Sequence, residues 1–149
     1  MVAVFPAACR EEVAMGEHAA FAELLRALAR EGARSLVIGG LAKKLHGECA
    51  EARDHSLWYD ADDDNAARVY RALARIGAPL DGVSPIDLAD VDYEFRYENG
   101  SGEVCLVGGI DGITFSDAWL SRLQTSWRDV TLCVIGRDAL RATELAERP

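Results

Sequence analysis

The apolar positions of this chain alternate between helical and strand spacing. Residues 17–31 carry apolar side chains three and four positions apart, which is the pattern of an amphipathic helix. An apolar run at residues 34–38 then predicts a buried strand, residues 41–46 a short helix, and residues 54–59 a second strand. The first half of the chain therefore predicts the alternation of helices and strands that is typical of an α/β domain.

An acidic cluster precedes the third predicted helix. Asp62 or Asp63 can accept hydrogen bonds at the N-terminus of this helix, and Gly77 can end it. Ser84-Pro85 has the form of a cap followed by a first-turn proline, which predicts another short helix. Because the acidic run lacks the glycine and the distal glutamate of an EF-hand loop, we interpret it as a solvated helix cap and assign it no calcium.

A β-hairpin and a final helix are predicted in the last third of the chain. Residues 93–97 alternate aromatic and charged side chains, and Asn99-Gly100 offers a turn into a second strand at residues 103–107. Another strand pair is divided at Arg128-Asp129, and the last helix begins near Arg137. The expected fold class is therefore α/β, with a mixed sheet and helices packed mainly on one face.

Length and composition limit the classes of protein to which the chain can belong. At 149 residues, half of them hydrophobic, we expect one domain over residues 1–149, with residues 1–16 as an irregular N-terminal segment. The net charge of -9 argues against general binding to nucleic acid or to an anionic membrane. The sequence has no apolar run that approaches the roughly 18 residues of a membrane span. Four cysteines without a C-x-x-C pair favour reduced thiols, and we expect a cytoplasmic protein.

A diglycine and a carboxylate follow one another in the first predicted β-α-β segment. Gly39-Gly40 ends the first predicted strand, and Asp54 begins the second. Because side chains alternate along a strand, Asp54 and Ser56 share one face and His55 lies on the other. A diglycine at the start of a helix can bind phosphate, or it can be only a tight turn that permits close packing. Asp54 can be a metal ligand, and it can equally be a helix cap or the ion-pair partner of a nearby arginine.

These residues carry a resemblance to a known family. The chain resembles the small bacterial nucleotidyltransferase-fold proteins of the polymerase-beta superfamily, which are relatives of minimal nucleotidyltransferases and of abortive-infection toxins. The resemblance covers roughly residues 21–147. Its matching stretches are residues 36–42, 46–47, 53–58, 65–68 and 109–113. It implies that Gly39 and Gly40 form the nucleotide-binding turn, and that three acids on neighbouring strands, the third of them antiparallel, hold two magnesium ions.

Two of the three implied acids are replaced in this chain. Asp54 stands at the first position, as the implied catalytic residue and metal ligand, but Ser56 stands at the second. The third position lies six residues before Asp111, and Cys105 occupies it. A hydroxyl and a thiol are poor ligands for magnesium, which prefers hard oxygen anions. The resemblance thus implies a degenerate nucleotidyltransferase with little or no activity and no cofactor, which binds a partner protein or small ligand in the former nucleotide cleft.

Three other functions stay open at this point. An acid near the cleft, from Asp60, Glu103 or Asp111, would favour an active enzyme that uses magnesium to transfer a nucleotidyl group to an acceptor. Exposed apolar strands near Tyr93 and Trp127 would favour a homo-oligomeric scaffold. A zinc site recruited from soft ligands is the third alternative. Its candidate ligands are His46, Cys49, His55 and Cys105.

Overall fold

The computed structural model describes residues 19–48, 55–98, 103–127 and 129–147. Within these ranges the helices are α1 (Ala19–Glu31), α2 (Gly39–Leu45), α3 (Asp63–Arg75), α4 (Pro85–Leu88), α5 (Phe115–Leu120) and α6 (Arg137–Glu147). The strands are β1 (Ser35–Ile38), β2 (His55–Tyr59), β3 (Glu94–Glu98), β4 (Glu103–Val107), β5 (Leu123–Trp127) and β6 (Val130–Val134). The predicted helices and strands are confirmed, apart from shifts of one or two residues at their ends. The residues 1–16, Asp54 and the Asn99-Gly100 turn lie outside the described part of the chain.

The six strands form one mixed sheet in the order β3-β4-β2-β1-β6-β5. The neighbours β1 and β2 are antiparallel, as are the two hairpins β3–β4 and β5–β6. Two pairs are parallel, β1 with β6 and β2 with β4. The expected α/β class with a mixed sheet is therefore confirmed.

One face of the sheet is apolar and carries α1. Phe21 of α1 stacks on the ring of His55 at 4.3 Å between centroids, and it meets Trp127 edge-on at 6.0 Å. Leu57 and Leu106, partners in the register of β2 and β4, are fully buried on this same face. The helix α3 packs beside α1. The two longest described helices thus lie together, because both present an apolar stripe at helical spacing.

Ion pairs join the exposed edges of α1 and α3. Arg71 Nε donates to Glu31 Oε1 at 3.0 Å, and Arg75 Nη2 donates to Glu31 Oε2 at 2.9 Å. These two hydrogen bonds, together with the positive charges, hold the pKa of Glu31 below its ordinary value. A carboxylate with a lowered pKa stabilises the fold in its ionised form.

A buried asparagine connects α3 to the sheet. Asn65 is 2% exposed, and its side-chain Oδ1 accepts from the backbone N–H of Arg34 at 2.7 Å. Its Nδ2 donates to the carbonyl oxygens of Arg34 at 3.1 Å and Asp60 at 2.8 Å. Asp62 caps the helix by accepting from the backbone N–H of Asn65 at 3.3 Å. The side chain of Asn65 thus completes backbone hydrogen bonding at the start of β1 and the end of β2.

The opposite face of the sheet is open over β3 and β4. Alternating residues of this hairpin, such as Phe95 and Leu106, are buried against the helices, whereas Glu94 and Arg96 point to the open side and are exposed. The helix α5 covers the middle of this face, where Phe115 meets Trp58 edge-on at 5.4 Å. In the part of the chain that the structure describes, no helix combines the length and apolar composition needed to cross a membrane.

Candidate functional site

A large cavity lies on the open face of the sheet, between the β3–β4 hairpin and α5. We call it the sheet-face cleft, and its volume is about 940 Å³. Its strands contribute Ile38, Ser56, Trp58, Glu94, Arg96, Glu103, Cys105 and Val107. The loops and helix ends around it contribute Asp60–Asp62, Val91–Tyr93, Gly108–Asp111 and Ile113–Ser116. A volume of this size is typical of small-molecule sites.

The diglycine lies against Ser56 at one end of the cleft. Ile38 and Ser56 are register partners on β1 and β2. Gly39 has a φ of +71°, and a Cβ built there would lie 3.6 Å from both Cβ and Oγ of Ser56. The positive φ, and not lack of space, is what favours glycine at this position. The sequence predicted that α2 would begin at Leu41, whereas it begins at Gly39, with Ile38 as its N-cap residue.

Ser56 and Cys105 lie side by side on neighbouring strands. They are register partners of β2 and β4, and both line the cleft. The predicted proximity of these two residues is therefore confirmed, whereas Asp54 lies outside the described residues. The expected antiparallel relation is wrong, because the β3–β4 hairpin places β3 at the sheet edge and returns β4 parallel to β2. Asp111 lines the same cleft.

A charged network surrounds Cys105. Arg96, its register partner on β3, donates from Nε to Glu94 Oε2 at 2.9 Å and from Nη1 to Glu103 Oε1 at 3.4 Å. The thiol of Cys105 donates to Glu94 Oε1 at 3.5 Å. The hydrogen bond from Arg96 is the largest cause of the lowered pKa of Glu94. A cationic guanidinium therefore lies beside Cys105.

Cys105 is protonated at neutral pH. Burial, and after it the negative charge of Glu94 and the hydrogen bond to that carboxylate, together raise the pKa of its thiol to about 12. Because the thiolate is the nucleophile and the metal-binding form of cysteine, this thiol is poorly suited to either task. Cys105 acts in the structure as a half-buried hydrogen-bond donor.

Carboxylates dominate the charge of the cleft. Six described acids line it, and Arg96 is the sole basic side chain among the described lining residues. The six acids are Asp60, Asp62, Asp92, Glu94, Glu103 and Asp111. Asp60 is neutralised by Arg34, whose Nη2 lies 2.7 Å from Asp60 Oδ2. Over the described ranges, no three His, Cys, Asp or Glu side chains converge as a group that could hold a metal ion.

The candidate zinc ligands do not come together where they are described. His55 lies on the helix-covered face, stacked on Phe21, while its neighbour in sequence, Ser56, faces the cleft with Cys105. His46 follows α2, and its Nε2 lies within hydrogen-bond distance, 2.7 Å, of the carbonyl oxygen of Ile135. Cys49 lies outside the described residues.

Aromatic side chains form the wall of the cleft below α5. Trp58 is 1% exposed, and Phe115, which meets it edge-on, stacks in turn on Trp119 at 5.5 Å. The Nε1 of Trp58 is buried and has no hydrogen-bond partner among the described residues. Trp127 belongs to the other face of the sheet, where it packs against Phe21.

Two functional candidates were not singled out in the sequence, namely Glu94 and Arg96. The alternation of charged and aromatic residues at 93–98 indicated that both would share the polar face of a hairpin strand. Their contact with Cys105 depends on the pairing of β3 with β4, which alternation alone does not specify. Comparison of the chain with protein-family models, curated proteins and solved structures finds no match.

Proposed function

We propose that this chain has the nucleotidyltransferase fold of the polymerase-beta superfamily with a degenerate active site. In this proposal it has little or no transferase activity, and its sheet-face cleft binds a small ligand or a partner protein. The observation that carries the proposal is the position of Ser56 and Cys105. Both neutral side chains lie next to each other beside the Gly39 turn, at the two positions where the resemblance implies metal-binding acids.

The charges around these residues support the loss of nucleotide binding. A nucleoside triphosphate carries several negative charges, and enzymes of this chemistry offset them with metal ions. The described lining has six carboxylates against one arginine, and Arg96 is already engaged by Glu94 and Glu103. Without metal ions, such a surface repels a triphosphate.

Isothermal titration calorimetry of the full chain tests the proposal. We expect no stoichiometric heat when ATP, GTP, CTP or UTP is added in the presence of millimolar magnesium. Arg96→Gln is the matched variant, because it removes the basic side chain of the described lining. Since the original chain is expected to give no binding heat, this variant should give none either. Tight binding of one nucleotide with one-to-one stoichiometry would overturn the degenerate assignment.

The active enzyme is the second candidate, and one observation favours it. Asp111, Glu103 and Asp60 all line the cleft, so carboxylates remain near the position of the lost acids. Asp60 is paired with Arg34 and Glu103 with Arg96, which leaves Asp111 as the exposed acid of the three. A pyrophosphate-release assay with the four nucleotides and magnesium or manganese tests this function. Release that is abolished by Asp111→Asn, and kept in Asp81→Asn, would establish it in place of the degenerate one.

A further inference from the structure

We propose that β5, at one edge of the sheet, pairs antiparallel with β5 of a second copy of this chain. The pairing joins the two sheets into one across a two-fold axis. Because β5 lies at the sheet edge farthest from the β3–β4 hairpin, the pairing does not depend on what the sheet-face cleft binds. Three features of β5 carry it, namely unpaired backbone groups, a lack of charge, and a sequence that matches itself in antiparallel register.

The outer edge of β5 presents backbone groups without partners. The N–H of Ile135 donates to the carbonyl oxygen of Val37 at 3.1 Å, which identifies the residues around β6 that turn their backbone groups toward β1. By alternation, the register partner of Thr125 on β6 turns its groups toward β5. The residues on either side of Thr125, Gln124 and Ser126, therefore direct their N–H and C=O groups away from the sheet. These outward groups have no hydrogen bond to any described residue.

The two edges of the sheet differ in charge. On β3 the exposed side chains are Glu94, Arg96 and Glu98, and charged side chains of this kind discourage the pairing of edge strands. The sequence of β5, LQTSW, contains neither a charged residue nor a proline. Each copy has a net charge of -9, but β5 itself adds nothing to the repulsion. Of the two edges, β5 is therefore the one that can accept another strand.

The sequence of β5 is self-complementary when the two-fold axis passes through Thr125. Gln124 of one copy then faces Ser126 of the other, and these are the residues whose backbone groups point outward. Each such pair exchanges both of its backbone hydrogen bonds, as in an antiparallel ladder. On the helix-covered face, the half-buried Leu123 meets the half-buried Trp127 of the second copy, and cross-strand pairs of this kind stabilise a sheet. Because both β5 edges are used, assembly stops at the dimer.

The size of the contact makes the dimer transient. A strand of five residues buries less than the roughly 1,200 Å² at which stable interfaces begin, so we expect a dissociation constant on the order of 100 µM. Both copies are acidic, and salt screens the repulsion between them. The dimer should therefore become tighter as the salt concentration rises, which is the opposite of what an association driven by charge attraction would show.

Sedimentation velocity of the full chain tests the pairing. Between about 10 µM and 1 mM protein we expect monomer to convert to dimer, more completely in about 0.5 M than in about 0.05 M sodium chloride. Gln124→Lys with Ser126→Lys sets lysines opposite one another, and should weaken the dimer about tenfold or more. Ala29→Lys with Ala74→Lys adds the same charge at exposed helix positions and should change the dissociation constant less than about twofold. Circular dichroism shows that each variant is folded.

A backbone variant and NMR locate the contact. Ser126→Pro removes an N–H that points away from β6, so it should abolish the dimer while the monomer stays folded. In ¹H–¹⁵N spectra of the original chain, dilution from about 1 mM to about 0.05 mM should shift the amide signals of Gln124 and Ser126 and leave those of β3 in place.

Four results would overturn the proposal. They are a chain that stays monomeric at about 1 mM, a dimer that weakens as salt is added, a dimer that survives both edge variants, and dilution shifts centred on another part of the chain. Equal weakening by the two lysine pairs would also assign the contact to a surface other than β5. None of these results bears on nucleotide binding, which the calorimetry of the cleft tests separately.

Discussion

Replacement of Asn65 by alanine is expected to destabilise the fold by about 3 kcal/mol. The side chain makes three buried hydrogen bonds, at 2.7, 3.1 and 2.8 Å, to the backbone of Arg34 and Asp60. A net contribution of about 1 kcal/mol for each bond gives this total, because alanine removes one hydrogen bond from the N–H of Arg34 and one from each of the two carbonyl groups, at a residue that is 2% exposed. Asn65→Asp keeps the acceptor for the N–H of Arg34 but loses both donations, so it should be at least as destabilising.

Urea denaturation followed by circular dichroism measures the effect. With an m-value of about 2 kcal/mol/M, the midpoint should fall by about 1.5 M and m should stay unchanged. Asp64→Ala, at the neighbouring exposed position of α3, is the matched control and should move the midpoint by less than about 0.25 M, the shift that 0.5 kcal/mol produces. If Asn65→Ala costs less than about 1 kcal/mol at constant m, the three hydrogen bonds do not join α3 to the sheet as described.

Three further predictions concern the cleft and the α1–α3 edge. In the double variant Ser56→Asp with Cys105→Asp, addition of magnesium should raise the melting temperature by more than the sum of the rises in the two single variants, because hard ligands act jointly on one ion. A folded double variant that melts at the same temperature with and without magnesium would contradict this. Glu94→Gln should lower the pKa of the Cys105 thiol and speed its alkylation by iodoacetamide at pH 8, measured by peptide mass spectrometry, whereas Glu48→Gln should not. Glu31→Gln should destabilise the protein at pH 7, and the difference should vanish as the pH falls through the lowered pKa of Glu31, because the original carboxyl is then also neutral. In urea titrations at several pH values, Glu48→Gln again serves as the control, and a difference that persists in acid would refute the ionic role of Glu31.

The elements of the fold were largely predictable because the local patterns agreed with one another. Helical spacing in α1, the cap at Asp62 and the Ser84-Pro85 start of α4 all correspond to what the structure contains. Each of these features depends on residues close in sequence. The parallel pairing of β2 with β4 was not predicted, since hydrophobic alternation defines which residues share a face but not which strand lies beside another.

The candidate site was predictable only in part for the same reason. The proximity of Ser56 and Cys105 followed from the spacing of the family resemblance, which carries information about distant strands. The guanidinium of Arg96 beside Cys105 follows from the register of an edge hairpin, and the contact of Trp58 with Phe115 follows from how α5 packs on the sheet. Neither has a signal in a single sequence, because both depend on contacts between separate elements.

The pairing of β1 with β6 has a consequence for how the protein is made. Val37, near the beginning of the described chain, pairs with Val134, near its end, and β1 lies between β2 and β6 in the sheet. On the ribosome, β1, β2 and β4 can assemble early, but one edge of β1 stays unpaired until the β5–β6 hairpin has left the exit tunnel. An unpaired β-edge can associate with other chains. The nascent protein is therefore most exposed to misassembly until β6 is available to pair with β1, and a ribosome stalled before β6 should leave it dependent on chaperones.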